Sequence, residues 1–243
     1  MRALSESDVL RLWELGAEQP PARRALLLLD ASAEDPDTQL AQWSIGWRDR
    51  RLLELRRALF GEDLAARVRC PSCGAAAELS FTASEILAPS PESPPDTVSV
   101  EAEGYLLSAR LPNSVDLLEL ESAPPAERDA QALLRRCLLD ARRADVPVGA
   151  DELPAAALDA LEREMSAADP QAECYLDISC PAYGHRWQPP FDASWFLWSE
   201  IDAWARGVLG EVHALARAYG WSEREILSLG RRRRHSYLEL VGA

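Results

Sequence analysis

The chain has 243 residues, enough for one large domain or two small ones with a sizeable buried core. Its hydrophobic content of 47% and charged content of 27% are those of an ordinary globular protein, and its formal net charge of -14 argues against a surface that wraps nucleic acid. Apart from histidine, every basic side chain is an arginine, because the chain contains no lysine. Schiff-base chemistry and lysine general bases are therefore excluded.

Residues 1–66 predict an N-terminal helical region. Ser5, with Asp8 three positions later, is typical of a capping box and predicts a helix over residues 5–15. A second short helix begins near Pro21. In residues 46–61 the leucines recur at helical spacing on one face, and Gly61 is a suitable end for this third helix.

Residues 67–112 predict β structure around a first cysteine knuckle. The segment "VRCPSCGAAAELSF" favours a strand, a tight turn and a second strand, with Cys70 and Cys73 in the turn. Residues 88–96 form a proline-rich loop, and "TVSVEAEGYLLSARLP" then predicts a β-hairpin whose turn lies near Gly104.

Residues 113–170 predict a helical insertion between this knuckle and a second one. Asn113 or Ser114 caps the first helix, a second covers 126–143 with Leu133, Leu134, Cys137 and Leu138 facing inward, and a third covers about 154–166. Residues 171–192 contain the second, degenerate knuckle, preceded by a half-buried strand in which Cys174 is a core residue.

Residues 193–243 predict a C-terminal helical region dominated by one long helix. Leu197, Ile201 and Trp204 belong to one apolar stripe, and Trp195 and Trp198 belong to a second stripe beside it. A helix that is apolar on more than one side must be covered on more than one side, so we predict that Trp195 and Trp198 bind a partner. The alternative that all three tryptophans lie in the core stays open.

The last helix carries four consecutive arginines, Arg231, Arg232, Arg233 and Arg234. Four consecutive residues spread right round a helix and form no single groove-facing stripe. In so acidic a chain they indicate docking onto an acidic protein surface rather than onto nucleic acid.

The two knuckles together predict a structural zinc site. Two Cys-x-x-Cys turns that face each other supply the tetrahedral set that zinc prefers, and here the ligands would be Cys70, Cys73, Cys180 and His185. In the second knuckle, "CPAYGH", Tyr183 occupies the place of the expected second cysteine. The alternative stays open that the ribbon has lost its metal and that Tyr183 fills the gap by packing.

The sequence predicts no enzyme and no small-molecule substrate. His185, His213 and His235 are its only histidines, and neither a G-x-S-x-G turn, nor a phosphate-binding glycine loop, nor an H-E-x-x-H helix occurs. No secretory signal or apolar run of about 20 residues is found. These observations favour a cytoplasmic protein whose five cysteines are thiols or metal ligands.

The predicted fold class is α+β and predominantly helical. A small zinc-ribbon-like β module contains a helical insertion between its two knuckles, and helical regions flank it at both ends.

Several segments resemble a known family. The series "DPQAECYLDISCPAYGHRW", "FLWSEIDAWARGVLGEVHALARAYGWSEREIL" and "RRRRHSYLELV" is similar to the baseplate-protein family related to the T-even phage baseplate hub and its assembly chaperone. "RCPSCGAAAEL", "LPNSVDLLEL" and "GWRDRRLLELRRALFG" agree with the same pattern. Members occur in contractile phage tails and phage-tail-like contractile injection systems.

The resemblance implies a structural or assembly role in a baseplate, with tube, spike or wedge proteins as partners. Many relatives have a complete second C-P-x-C-G-H knuckle, which Tyr183 interrupts here. Two roles stay open, a component of the finished particle and an assembly chaperone. From other classes, the alternatives are a zinc-ribbon nucleic-acid-binding regulator and a metallohydrolase.

Overall fold

The computed structural model describes residues 2–35, 39–89, 94–125 and 128–242. Within these ranges the helices are α1 (Glu6–Gly16), α2 (Pro21–Ser32), α3 (Ile45–Phe60), α4 (Ala83–Ile86), α5 (Ser114–Ser122), α6 (Ala130–Cys137), α7 (Ala155–Ala168), α8 (Ala193–Tyr219), α9 (Glu223–Ser228) and α10 (Arg231–Val241). Short 3₁₀ turns occupy Leu40–Gln42, Ala150–Glu152 and Pro170–Ala172.

All strand pairs are antiparallel. The strands are β1 (Asp63–Arg69), β2 (Ala76–Thr82), β3 (Thr97–Ala102), β4 (Tyr105–Arg110), β5 (Leu138–Arg143), β6 (Val146–Pro147), β7 (Ile178–Ser179) and β8 (Arg186–Trp187). They form two hairpins, β1–β2 and β7–β8, and one sheet in the order β3–β4–β5–β6. The α+β class predicted from the sequence is therefore confirmed.

The helix starts follow local sequence signals. Ser5 and Asp8 form the predicted capping box of α1, and Asn113 and Ser222 cap α5 and α9 in the same way. Such caps satisfy backbone N–H groups that have no partner within the first helical turn. At the end of α3, Gly61 adopts φ +90°, a conformation that residues with a Cβ rarely tolerate.

In the helical part of the molecule, α8 packs against helices from both ends of the chain. The buried residues of this helical bundle come from α1, α2, α3 and the first half of α8, with Leu28, Leu52 and Ile201 almost inaccessible to solvent. The second half of α8 packs against α1, α9 and α10 around Leu215 and Ile226. The N-terminal and C-terminal helical regions therefore share their core.

A second core lies between the β3–β6 sheet and helices α6 and α7. Leu107, Cys137 and Leu161 are fully buried there. Because β5 and β6 extend the sheet begun by β3 and β4, the boundary predicted between residues 112 and 113 cuts through one structural unit, and the segment that follows it is not purely helical.

The helix predicted over 126–143 is wrong beyond Cys137. Residues 138–143 form β5, which pairs with β4 along its length. Ala144 and Asp145 follow with positive φ, the geometry of a tight hairpin turn, and the chain returns as β6. Pairing with β4 satisfies the backbone here, and it overrides the helical spacing of the leucines. Residues 126–127 of this helix and 90–93 of the proline-rich loop lie outside the described residues.

Arg56 fixes the first knuckle against the bundle. Its side chain, only 3% exposed, donates hydrogen bonds to the carbonyl oxygens of Gly61 (2.8 Å) and Asp63 (2.7 Å) and to both carboxylate oxygens of Glu200 (2.7 and 2.8 Å). The beginning of β1 is thereby tied to α3 and α8.

Three phenylalanine rings join the two knuckle segments at the start of α8. Phe191, which follows the second knuckle, lies 6.0 Å from the Phe81 ring of β2 and 5.2 Å from the Phe196 ring of α8. The backbone N–H of Phe191 also donates to the carbonyl oxygen of Cys174 (2.7 Å). Distant parts of the chain therefore meet at one end of α8.

Candidate metal centre

The two knuckles have the same backbone geometry. In the first, the N–H of Cys70 donates to the carbonyl oxygen of Ala75 (2.9 Å) and the N–H of Gly74 to that of Cys70 (2.9 Å). In the second, Cys180 bonds to His185 (2.7 Å) and Gly184 to Cys180 (2.9 Å) in the same way. Both glycines have positive φ, +74° and +77°. Tyr183 is therefore the structural counterpart of Cys73.

The fold brings three of the predicted ligands together. The sulfur atoms of Cys70, Cys73 and Cys180 all lie within 4.8 Å of one another, although Cys73 and Cys180 are 107 positions apart in the chain. The Sγ atoms of Cys73 and Cys180 are 3.7 Å apart, and all three residues are free thiols. With zinc–sulfur bonds of about 2.3 Å, two thiolates of a tetrahedral site are separated by about 3.8 Å. The donor set and its spacing therefore fit a tetrahedral metal ion.

Backbone and hydroxyl donors around Cys70 stabilise its thiolate. Burial raises the pKa of Cys70, but hydrogen bonds from the backbone N–H groups of Ser72 and Cys73 and from the Tyr183 hydroxyl outweigh this effect, and the pKa falls to about 6. A thiolate is the form that binds a metal ion.

The second thiol of the first knuckle responds to its neighbours. The backbone N–H of Ala75 lowers the pKa of Cys73, but burial and the adjacent sulfurs of Cys180 and Cys70 outweigh it, so the net pKa is raised. Clustered sulfurs without a cation oppose one another's ionisation. A divalent ion among them would remove this opposition.

The structure does not bring the predicted fourth ligand to the sulfur atoms. Neither ring nitrogen of His185 lies within 4.8 Å of all three sulfur atoms. Its ring lies between those of Tyr183 and Trp187, at centroid distances of 6.1 and 6.0 Å and nearly parallel to both. The hydroxyl oxygen of Tyr183 instead lies 3.7 Å from the Sγ atom of Cys70.

The other two cysteines lie outside this group. Cys174 is half-buried beside the carbonyl oxygen of Ile86 (3.9 Å) and precedes β7 rather than lying in a strand, so its prediction as a core residue of a strand is not confirmed; burial raises its pKa. Cys137 is fully buried in the second core, and burial raises its pKa to about 11. Both thiols therefore form the metal-binding thiolate less readily than an ordinary cysteine does.

The predicted partner-binding tryptophans have different environments. Trp195 is 65% exposed at the start of α8. Trp198 is only 8% exposed and packs in the helical bundle, against Gly16 and beneath the guanidinium group of Arg24. Trp198 is therefore a core residue in this structure, which corrects its predicted role, and Trp195 remains accessible to a partner.

The four arginines of the last helix also differ in their exposure to solvent. Arg231, Arg232 and Arg233 are exposed, whereas Arg234 is 1% exposed. The Arg234 guanidinium donates to Glu6 in α1 (2.7 and 3.2 Å) and to Glu211 in α8 (2.7 Å). Arg234 is thus not available for docking, and only the other three remain candidates.

Sequence reasoning missed the ion pairs of Arg234, although a signal was present. Positions 234, 238 and 241 share one face of α10, and Leu238 on that face is buried. An arginine on a buried helical face needs carboxylate partners. The sequence does not indicate which of its many acids those are, because Glu6 lies at the opposite end of the chain.

Among the described residues, no helix combines the length and apolar character that a membrane crossing requires. Comparison with protein-family models, curated proteins and solved structures finds no match to this chain.

Proposed function

We propose that this protein is a non-enzymatic structural or assembly component of the baseplate of a contractile phage tail or tail-like injection system. The baseplate assignment is supported by the resemblance of the second knuckle and the C-terminal helices to that family. Its place of action would be the cytoplasm, where such particles assemble, or the particle itself.

A structural zinc ion is part of this proposal, and one observation carries it. Sulfur atoms from two knuckles 107 positions apart converge at the separation that a tetrahedral zinc ion requires. Zinc bound there would join β1–β2 to β7–β8 and hold both against the start of α8. This is a cross-link, and a thiolate-rich set is typical of structural rather than catalytic zinc.

Protein docking is the second part of the proposal. Trp195 presents a large exposed aromatic surface, and tryptophan and arginine are the residues most enriched at interface hot spots. None of the three exposed arginines at the start of α10 forms an ion pair with another described residue. Their free positive charge favours an acidic partner surface.

Affinity purification tests the baseplate role. Tagged protein expressed at its natural level should co-purify with proteins identified by mass spectrometry as tail tube, sheath, spike or wedge components. Recovery of the tagged protein without any of these, from cells that are assembling particles, would contradict the role.

The same purified protein separates this proposal from the nucleic-acid-binding alternative. We expect negligible binding to duplex DNA at moderate salt, and no change in Arg231→Gln/Arg232→Gln/Arg233→Gln. Submicromolar binding with a steep salt dependence, lost in this triple variant, would instead favour a zinc-ribbon regulator.

A further inference from the structure

We infer that the phenolate oxygen of Tyr183 is the fourth zinc ligand, and that His185 does not bind the metal. The inference rests on the zinc site proposed above and defines its ligand set as three thiolates and one phenolate. It follows from the geometry of the second knuckle rather than from the spacing of its motif.

With Tyr183 as the fourth ligand, the two known distances would be opposite edges of one tetrahedron. The Sγ atoms of Cys73 and Cys180 define one edge at 3.7 Å, and Cys70 Sγ with Tyr183 Oη defines the other, also at 3.7 Å. Bond lengths of about 2.3 Å to sulfur and 2.0–2.2 Å to oxygen give edges of about 3.8 Å between sulfurs and about 3.5 Å between sulfur and oxygen. Both observed edges therefore need only a few tenths of an ångström of adjustment.

The tyrosine is also held in the required direction. Its backbone position matches that of Cys73, but its longer side chain must cross the site to bring its oxygen to Cys70. Tyr183 is 55% exposed and its ring stacks on the His185 ring, while its hydroxyl oxygen lies 3.7 Å from the Sγ atom of Cys70. The same stack holds His185 between the rings of Tyr183 and Trp187, and its ring nitrogens do not come within 4.8 Å of all three sulfur atoms.

The charge balance permits either ligand, so the geometry decides between them. Three thiolates and Zn²⁺ carry a net charge of about -1, and a phenolate brings the site to about -2, the value for four-cysteine zinc sites. Neutral imidazole would leave the site at about -1, the value for zinc sites of three cysteines and one histidine. On binding, the protons of the thiols and of the phenol pass to solvent.

Ultraviolet difference spectroscopy tests the inference without any assay of activity. Zinc itself is spectroscopically silent, so addition of Zn²⁺ to metal-free wild-type protein at neutral pH should produce a tyrosinate band in the near ultraviolet. Tyr183→Phe removes only the oxygen and keeps the ring stack, and in this variant the band should be absent. Tyr175→Phe is the matched control, because Tyr175 is equally exposed, at 55%, beside the same knuckle, and the band should persist.

Zinc affinity provides the second readout. Competition with a chromophoric chelator should show roughly a tenfold or greater loss of affinity for Tyr183→Phe and no comparable loss for His185→Gln. Zinc binding without a tyrosinate band, with His185→Gln as the weaker variant, would overturn the inference and leave the structural zinc standing. If folded protein bound no zinc at all, the inference and the zinc site would both fail.

Discussion

Arg234 joins three helices through one side chain. It is fully buried, yet both of its carboxylate partners are about one-third exposed, with side-chain accessibilities of 31% for Glu6 and 36% for Glu211. The cost of desolvating the guanidinium is offset by bidentate bonding to Glu6 and by the additional bond to Glu211. The residue therefore acts as a structural connection between α1, α8 and α10.

Replacement of Arg234 should destabilise the protein strongly. Arg234→Gln leaves two carboxylates without their cation and a cavity beside Leu238, and we expect a loss of about 2–4 kcal/mol in the free energy of unfolding, below the value for a fully buried pair because solvent reaches both glutamates. Urea denaturation measures this loss. Arg233→Gln, the exposed neighbour, should remain within about 0.5 kcal/mol of wild type. Equal stability of the two variants would contradict this assignment.

Asp116 predicts a defined pH dependence. Burial raises its pKa, but the bidentate ion pair with Arg110 (2.6 and 2.7 Å) and the N–H of Asn113 outweigh burial, so the folded-state pKa lies below that of the unfolded chain. The stability that this carboxylate contributes is present above its ordinary pKa of about 3.9 and is lost as the pH falls through the folded-state value.

The Asp116→Asn variant isolates that contribution. It should be less stable than wild type at neutral pH. The difference should shrink as the pH falls from about 4 through the folded-state pKa of Asp116, because below that value both proteins carry a neutral side chain at this position. Thermal unfolding measured across this pH range checks the expectation. A difference that stays constant down to the lowest pH would show that the ion pair contributes nothing.

At the scale of elements, α8 organises the molecule. Its first half packs in the helical bundle, its second half carries α9 and α10, and its first turn contacts the segment that leaves the second knuckle. The protein's own helices cover the first of its two apolar stripes and also part of the second, because Trp198 is buried in the helical bundle. On the second stripe Trp195 stays exposed; elsewhere on α8, Leu209 is 39% exposed.

Truncation of the two tryptophans should separate core from interface. Trp198→Ala removes a ring that fills the space above Gly16, where an added Cβ would lie 2.3 Å from it, so we expect a loss of about 3–5 kcal/mol in stability. Trp195→Ala should leave the melting temperature nearly unchanged and weaken co-purification with baseplate proteins.

A control variant tests whether the truncation of any exposed apolar side chain has the same effect as Trp195→Ala. Leu139→Ala removes a side chain that is 56% exposed on β5, far from α8 in the sequence, and it should affect neither stability nor co-purification. If Trp195→Ala behaved in the same way, the docking surface would lie elsewhere.

The sequence predicted those elements whose signals are local. α1, α3 and α8 show helical periodicity with identifiable ends, and the β3–β4 hairpin has its turn at Gly104, where φ is positive. β5 was missed because its conformation depends on pairing with β4, a non-local interaction that competes with a plausible helical pattern. The knuckle hairpins were found because the Cys-x-x-Cys-Gly motif itself requires a tight turn.

The candidate site was predictable in part for the same reason. Cys70, Cys73 and Cys180 occupy turn positions whose direction follows from the motif, and the structure brings their sulfurs together. The number of residues between Cys180 and His185 does not show which way the His185 side chain points. In the structure the rings of Tyr183, His185 and Trp187 stack on each other, and the hydroxyl oxygen of Tyr183 lies 3.7 Å from the sulfur of Cys70.

At the scale of the whole molecule, the proposed zinc ion would close a loop of more than 100 residues. That loop contains the entire β3–β6 sheet and its helices, and closing it costs only slightly more entropy than closing a short one. Free energy from metal binding would then contribute directly to folding. The exposed aromatic and basic groups of the C-terminal region would be held on a fixed frame for partner proteins.

Whether a zinc ion joins the two knuckles can be measured by elemental analysis of protein purified without added metal. Wild-type protein should contain about one zinc per chain, and Cys180→Ser should contain much less, because it retains thiolates from only one knuckle. Wild-type protein that unfolds cooperatively and is free of zinc would show that the knuckles are held by packing alone, and would contradict the cross-link on which this account rests.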